Sequence, residues 1–93
     1  MQQPIGIGYY RKEDYEEILR ISSDRERMND TWEEWKKKKE KTVRNLKLAG
    51  VTPIDVLVLP RDLEIYCYEQ GLKIDGAARA QYVSYLLERR HYN

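Results

Sequence analysis

One short run of the chain is far more apolar than the rest and predicts the centre of the fold. Five of the six residues in Ile54–Leu59 are apolar, with Pro53 before the run and Pro60 after it. Such a run between turn residues is typical of a strand covered on both faces. Because the N–H and C=O groups of a strand point sideways, this strand needs a partner, from the same chain or from a second copy.

The segment 5–10 is the best candidate within the chain for that partner. Its large residues Ile5, Ile7 and Tyr9 alternate with glycines, and this period of two puts them on one face. Glycine weakens a strand because it loses more conformational entropy on folding than other residues. Two alternatives therefore remain for this segment, a paired strand and a frayed terminus.

Helical periodicity and capping residues predict four helices in the rest of the chain. The clearest start is a capping box, formed either by Asp30 with Glu33 or by Thr31 with Glu34. The predicted helices span 11–23, 31–49 with Gly50 as the stop, 60–70 with Gly71 as the stop, and a segment capped by Asp75.

Each predicted helix has an apolar side that should face the strands. On the second helix that side is interrupted by Lys39. The inward positions are Tyr15, Ile18, Leu19 and Ser22; Trp32, Trp35, Val43, Leu46 and Ala49; Leu63, Tyr66, Cys67 and Gln70; and Tyr82, Val83, Tyr85, Leu86 and Leu87.

Together these elements predict a small α+β domain over residues 1–93, mostly helical, with four helices packed on a minimal sheet. The chain has 17 basic and 16 acidic residues and a net charge of +1, so global charge favours neither nucleic acid nor anionic membranes. A single cysteine excludes an internal disulfide and is typical of a reducing compartment. With neither a membrane-span pattern nor a signal-peptide pattern, we expect a cytoplasmic protein that does not associate with membranes.

The second helix carries the strongest local charge signal. From Thr31 to Ala49 there are seven basic and three acidic residues. A lysine-rich helix beside two tryptophans could follow a phosphate backbone, whereas the same pattern also describes a solvated helix face. The candidate nucleic-acid contacts are Lys36, Lys37, Lys38, Lys41 and Arg44.

The C-terminal part contains a second pattern linked to nucleic acids. Residues 67–76, with Gly71-Leu72 in a connector that leads to an amphipathic helix, resemble the SAP-type nucleic-acid module over residues 63–86. The same stretch fits a helix-turn-helix, with Gly71 in the turn and the small Cys67 behind it. The resemblance implies a phosphate contact from Arg79, the only basic residue in the first turns of the last helix.

A broader resemblance concerns the fold alone. The start Asp30-Thr31-Trp32-Glu33-Glu34-Trp35, the aliphatic strand, Cys67 with Gly71-Leu72, and Ala78-Arg79-Ala80 look like a group of small uncharacterised bacterial proteins. This resemblance implies a fold and no activity.

Self-association is the other prediction that the apolar residues make. Eight tyrosines and two tryptophans are many for so small a core, and the strand has at most one weak internal partner. The candidate residues for a homodimer or a protein partner are Ile54, Val56, Val58, Tyr66, Tyr82 and Tyr85.

Catalytic chemistry has no clear carrier in the sequence. Cys67 has no histidine near it in the chain, and neither metal-ligand spacing nor a phosphate-binding glycine loop is present. We therefore expect no catalytic, metal or cofactor site and no small-molecule ligand. The leading hypothesis is a non-enzymatic interaction protein or homodimeric subunit, and the alternative is an accessory nucleic-acid-binding protein that uses the second helix and the C-terminal helical hairpin.

Overall fold

The computed structural model describes the backbone of residues 4–92 and the side chains of residues 4–90. Within this range four helices pack with a two-stranded sheet, which confirms the predicted α+β class. None of these helices contains a stretch that is both long and apolar enough to cross a bilayer. The elements are β1 (Pro4–Tyr9), α1 (Lys12–Ile21), a 3-10 turn (Arg25–Arg27), α2 (Trp32–Leu48), β2 (Thr52–Leu57), α3 (Pro60–Gln70) and α4 (Gly76–Tyr92).

The sheet consists of β1 and β2 in parallel, with Pro4 opposite Thr52 and Tyr9 opposite Leu57. The N-terminal segment is therefore the partner strand. The strand predicted at 54–59 lies two residues earlier, at 52–57. Its end is set by α3, which begins at Pro60 and uses Leu59 as its N-terminal capping position.

The two faces of β1 meet different helices. Gly6 and Gly8 face α4, where a Cβ atom added to Gly6 would lie only 2.9 Å from Cγ1 of Val83. Lys39 of α2 lies on the opposite face, with its Nζ 5.3 Å from the centre of the Tyr9 ring. The glycines thus allow α4 to pack closely on the strand.

The core lies mainly between α1, α3, α4 and the glycine-bearing face of the sheet. Val56 and Val58 are fully buried there, together with Leu63 of α3. All four predicted inward residues of α1 are buried, which confirms that prediction: Tyr15, Ile18, Leu19 and Ser22.

The second helix packs more loosely than predicted. It has no fully buried residue: Trp32 and Trp35 are half-buried, and Ala49 is exposed and not inward-facing. Lys39 does not merely interrupt the apolar side, because its Nζ lies 2.8 Å from Oδ1 of Asp55 on β2. An ion pair thus replaces apolar packing in the middle of this interface.

The helix ends follow the predicted capping residues. Thr31 is the cap of α2, since its Oγ1 accepts a hydrogen bond from the N–H of Glu34 at 3.2 Å, which decides between the two capping boxes. Gly50 and Gly71 have φ angles of 83° and 66°, the left-handed conformation predicted for helix stops. Asp75 caps α4 by accepting from the N–H of Ala78 at 2.9 Å.

Candidate interaction site

The outer edge of β1 presents backbone groups that have no partner strand. The N–H of Val58 donates to the carbonyl of Tyr9, the residue opposite Leu57. In a parallel ladder, every second residue of a strand exchanges hydrogen bonds with the neighbouring strand. Because Tyr9 is one of these residues, Ile5, Ile7 and Tyr9 are the residues of β1 that bond to β2. The N–H and C=O groups of Gly6 and Gly8 therefore point to the outer edge, where no other described strand lies.

The outer edge of β2 is partly protected by contrast. Pro53 has no N–H to offer at this edge. The carbonyl of Asp55, which points the same way, accepts a hydrogen bond from Nη1 of Arg90 at 3.3 Å. Proline and charged side chains on an edge strand are the usual protection against pairing with another chain. The outer edge of β2 thus carries two protecting features, and no comparable proline or side-chain bond covers Gly6 and Gly8 within the described residues.

At the end of β1 a tryptophan satisfies the next outward group. The indole Nε1–H of Trp32 donates to the carbonyl of Tyr10 at 2.8 Å. The open part of the edge therefore ends before the carbonyl of Tyr10 and has the peptide groups of Gly6 and Gly8 at its centre.

Two clefts run along this open edge, and together we call them the edge groove. One, of about 290 Å³, lies toward α2 and includes Trp35, Lys38 and Thr42. The other, of about 370 Å³, lies toward α4 and includes Ala80, Val83 and Ser84. Ile7, Gly8, Tyr10, Trp35 and Arg79 border both, so the clefts adjoin at the strand edge.

Aromatic rings form the floor of the α2 side of the edge groove. The ring centres of Tyr10 and Trp35 are 4.9 Å apart, and Tyr15 lies 6.0 Å from each of them. The hydroxyl of Tyr15 donates to the carbonyl of Asn29 at 2.7 Å, which holds the loop before α2 against this cluster. Burial raises the pKa of both Tyr10 and Tyr15 above the usual value. The floor is thus a packed cluster of uncharged rings.

Arg79, predicted as a phosphate contact, is bonded within the chain itself. Its guanidinium donates to Asp24 at 2.9 and 2.8 Å and to Oγ of Ser22 at 3.0 Å. The Arg79 side chain is only 11% exposed. Contact with a phosphate would break this buried ion pair, so Arg79 joins the end of α1 to the start of α4.

The other predicted nucleic-acid contacts are on the surface. Lys36, Lys37, Lys38, Lys41 and Arg44 are all exposed along α2. Lys36 lies over the ring of Trp32 at 5.1 Å, and Lys38 borders the edge groove. The tryptophans themselves contact Tyr10 and each other and do not form an open stacking platform.

The structure divides the predicted self-association residues into two groups. Val56, Val58 and Tyr82 are buried in the chain's own core and cannot form a surface. Ile54 and Tyr66 are half-buried and Tyr85 is exposed. Because β2 finds its partner within the chain, the main argument for a dimer through the apolar strand no longer applies.

Cys67 is 1% exposed, and burial raises the pKa of its thiol. Across the described residues no group of three or more histidine, cysteine, aspartate or glutamate side chains is arranged to hold a metal ion.

No family model, curated protein or solved structure matches the chain.

The open strand edge was not predicted, although a signal for it existed. Two glycines at alternate positions mark a strand face that a helix approaches closely, and the lack of a further apolar strand in the sequence leaves one edge of that strand without a partner. Which peptide groups point outward depends on the register with β2, and no sequence pattern reports that register.

Proposed function

We propose that the protein is a non-enzymatic interaction module that takes up an extended segment of a protein partner as a third strand beside β1. The observation that carries the proposal is the pair of outward-facing peptide groups of Gly6 and Gly8 at the floor of the edge groove. Strand addition derives affinity from main-chain hydrogen bonds and specificity from the pockets beside them. The edge groove offers both.

The contrast between the two edges supports this proposal. Natural sheets normally protect exposed edges, because an open edge promotes aggregation. Here Pro53 and the bond from Arg90 to Asp55 protect part of the β2 edge, whereas no side-chain bond within the described residues covers the outward peptide groups of Gly6 and Gly8. This difference between the two edges favours addition of a strand beside β1.

A pair of variants at one position tests the proposal. Gly8→Pro removes the outward N–H, while Gly8→Ala adds a comparable Cβ and keeps the N–H. The difference in peptide affinity between the two variants therefore measures the contribution of this N–H. Proline is tolerated on an edge strand when its N–H side faces away from the ladder. Melting curves and circular dichroism confirm that both variants are folded.

The probe is a displayed library of random peptides of about twelve residues, long enough to span a typical strand. Enriched peptides should bind the wild type and Gly8→Ala similarly and bind Gly8→Pro at least about tenfold more weakly, because one main-chain hydrogen bond is lost and a carbonyl is left unpaired. A library that yields no binders, or binders that tolerate Gly8→Pro as well as Gly8→Ala, would contradict the proposal.

Nucleic-acid binding is a second candidate function. It is favoured by the exposed side chains Lys36, Lys37, Lys38, Lys41 and Arg44, which make no ion pair with any residue in the described range. If α2 contacts phosphates, the logarithm of affinity should fall with the logarithm of salt by about 0.9 per phosphate on duplex DNA. Replacing Lys37, Lys38 and Lys41 with glutamine should then reduce this slope. If neither DNA nor RNA binds at about 150 mM salt, a physiological ionic strength, nucleic-acid binding is excluded as the function.

A further inference from the structure

We infer that the segment bound beside β1 is acidic, with an apolar side chain that enters the cleft over Tyr10, Tyr15 and Trp35. This inference rests on the proposed strand addition and specifies the chemistry of the partner. Three observations support it: the sign of the charges that border the edge groove, which of those charges already have ion-pair partners, and the aromatic floor.

Every charged side chain that borders the edge groove among the described residues is basic. Arg27, Lys38, Lys39 and Arg79 line the clefts, and no aspartate or glutamate does. This distribution contrasts with the chain as a whole, in which basic and acidic residues nearly balance. A groove bordered by one sign of charge attracts a partner of the opposite sign and rejects one of the same sign.

Two of these four charges are already neutralised. Arg79 is paired with Asp24, and Lys39 with Asp55. Arg27 and Lys38 make no ion pair with any described residue, and both are exposed. They stand on different elements, the 3-10 turn and α2, and both line the same cleft. These two are therefore the cations available to a bound carboxylate.

A second copy of this chain fits the edge less well than an acidic segment. A two-fold pairing of β1 with β1 would place both α2 helices on the same face of the joined sheet, next to each other. Each α2 has seven basic and three acidic residues, and Lys38 and Lys39 are on the side toward the edge. Like charges brought together at an interface oppose association. The groove charges thus favour a foreign acidic strand.

The aromatic floor determines which other side chains the bound segment should carry besides its acidic residues. In an extended segment alternate side chains point to opposite faces, so those on one face enter the α2-side cleft. The half-buried ring of Trp35 provides apolar surface there, with Met28 beside it and the buried rings of Tyr10 and Tyr15 packed behind it. An apolar side chain over the rings, flanked along the segment by carboxylates toward Arg27 and Lys38, satisfies both features of the cleft.

The test uses the same displayed peptide library and two double variants of equal charge. Arg27→Gln/Lys38→Gln removes both free cations of the groove. Lys37→Gln/Lys41→Gln removes the same charge from α2 residues that are exposed and border none of the clefts described above. We expect enriched peptides to carry an excess of aspartate and glutamate and to bind the first variant about 2- to 30-fold more weakly than the second, the range for two exposed ion pairs.

The outcomes separate this inference from the proposed function. Enriched peptides that lack an acidic excess, or that bind both double variants equally, overturn the acidic partner; if their binding still requires the N–H of Gly8, strand addition stands. Failure of the Gly8 comparison overturns both. A single-stranded oligonucleotide that binds more tightly than any enriched peptide at the same salt, and that loses affinity in Arg27→Gln/Lys38→Gln, would also overturn the acidic partner.

Discussion

The guanidinium of Arg79 holds the carboxylate of Asp24 with two hydrogen bonds, Nη1 to Oδ1 at 2.9 Å and Nη2 to Oδ2 at 2.8 Å. Asp24 Oδ2 also accepts from the N–H of Gly76 at 3.0 Å, at the first residue of α4. The two residues that follow α1 add three further bonds: Ser22 Oγ accepts from Arg79, and the N–H and hydroxyl of Ser23 both donate to the carbonyl of Ile74 in the connector before α4. This pair therefore sets the position of α4, one wall of the edge groove, relative to α1.

Asp24→Asn should destabilise the fold, because a guanidinium with little exposure loses its charged partner. We expect the free energy of unfolding at neutral pH to fall by roughly 2–3 kcal/mol, the cost of losing hydrogen bonds between charged groups. Urea denaturation measures it. The control is Asp30→Asn, whose ion pair with Arg25 is exposed at the surface; it should change stability by less than about 1 kcal/mol. Equal effects of the two substitutions would contradict the role of Asp24.

The contribution of Asp24 should disappear at low pH. The hydrogen bond from Arg79 lowers the pKa of this carboxyl in the folded chain. A carboxyl with a lower pKa when folded stabilises the protein above its unfolded value of about 3.9, and this stabilisation is lost as the pH falls through the folded pKa. The difference in stability between wild type and Asp24→Asn should therefore be constant above about pH 5 and shrink below about pH 4. A constant difference down to about pH 2 would contradict this.

Gly6→Ala tests how closely α4 packs on β1. The added Cβ would lie 2.9 Å from Cγ1 of Val83, whereas at Gly8 the nearest atom, Cγ2 of Val83, lies 3.3 Å away. We expect Gly6→Ala to cost roughly 1–3 kcal/mol, as overpacking does, and Gly8→Ala to cost less.

A double-mutant cycle identifies the cause of that cost. If the methyl group of Val83 is the obstacle, Gly6→Ala combined with Val83→Ala should be more stable than the sum of the two single changes predicts, by at least about 0.5 kcal/mol. Additive effects would place the strain elsewhere.

Cys67 should be unreactive in the folded protein. It is almost fully buried, and burial raises the pKa of its thiol, so little of the nucleophilic thiolate is present or accessible. A water-soluble disulfide reagent should label the native chain at least about a hundredfold more slowly than the urea-unfolded chain. Rapid labelling of the native protein would show that α3 opens readily.

Local patterns were sufficient to predict most of the elements of this fold. The cap at Thr31, the stops at Gly50 and Gly71 and the inward side of α1 follow from residues close together in the chain. Non-local relationships were not accessible in this way. The bond between Arg79 and Asp24 joins residues 55 positions apart, and nothing near Asp24 indicates its partner.

The candidate site depended on such non-local relationships. The sequence indicated that β2 needed a partner, and that partner is β1. It did not indicate that the pairing uses Ile5, Ile7 and Tyr9 and leaves the peptide groups of the glycines outward. Likewise, Arg27 and Lys38 lie apart in the chain and border one cleft only after folding.

Amide hydrogen exchange of β1, read residue by residue by NMR, tests strand addition most directly. In the free protein the N–H groups of Ile7 and Tyr9 bond to β2 and should exchange slowly, while those of Gly6 and Gly8 should exchange rapidly. An enriched peptide should slow the exchange of Gly6 and Gly8 by at least about tenfold as they gain partners. Binding that leaves the exchange of both glycines unchanged would contradict the account.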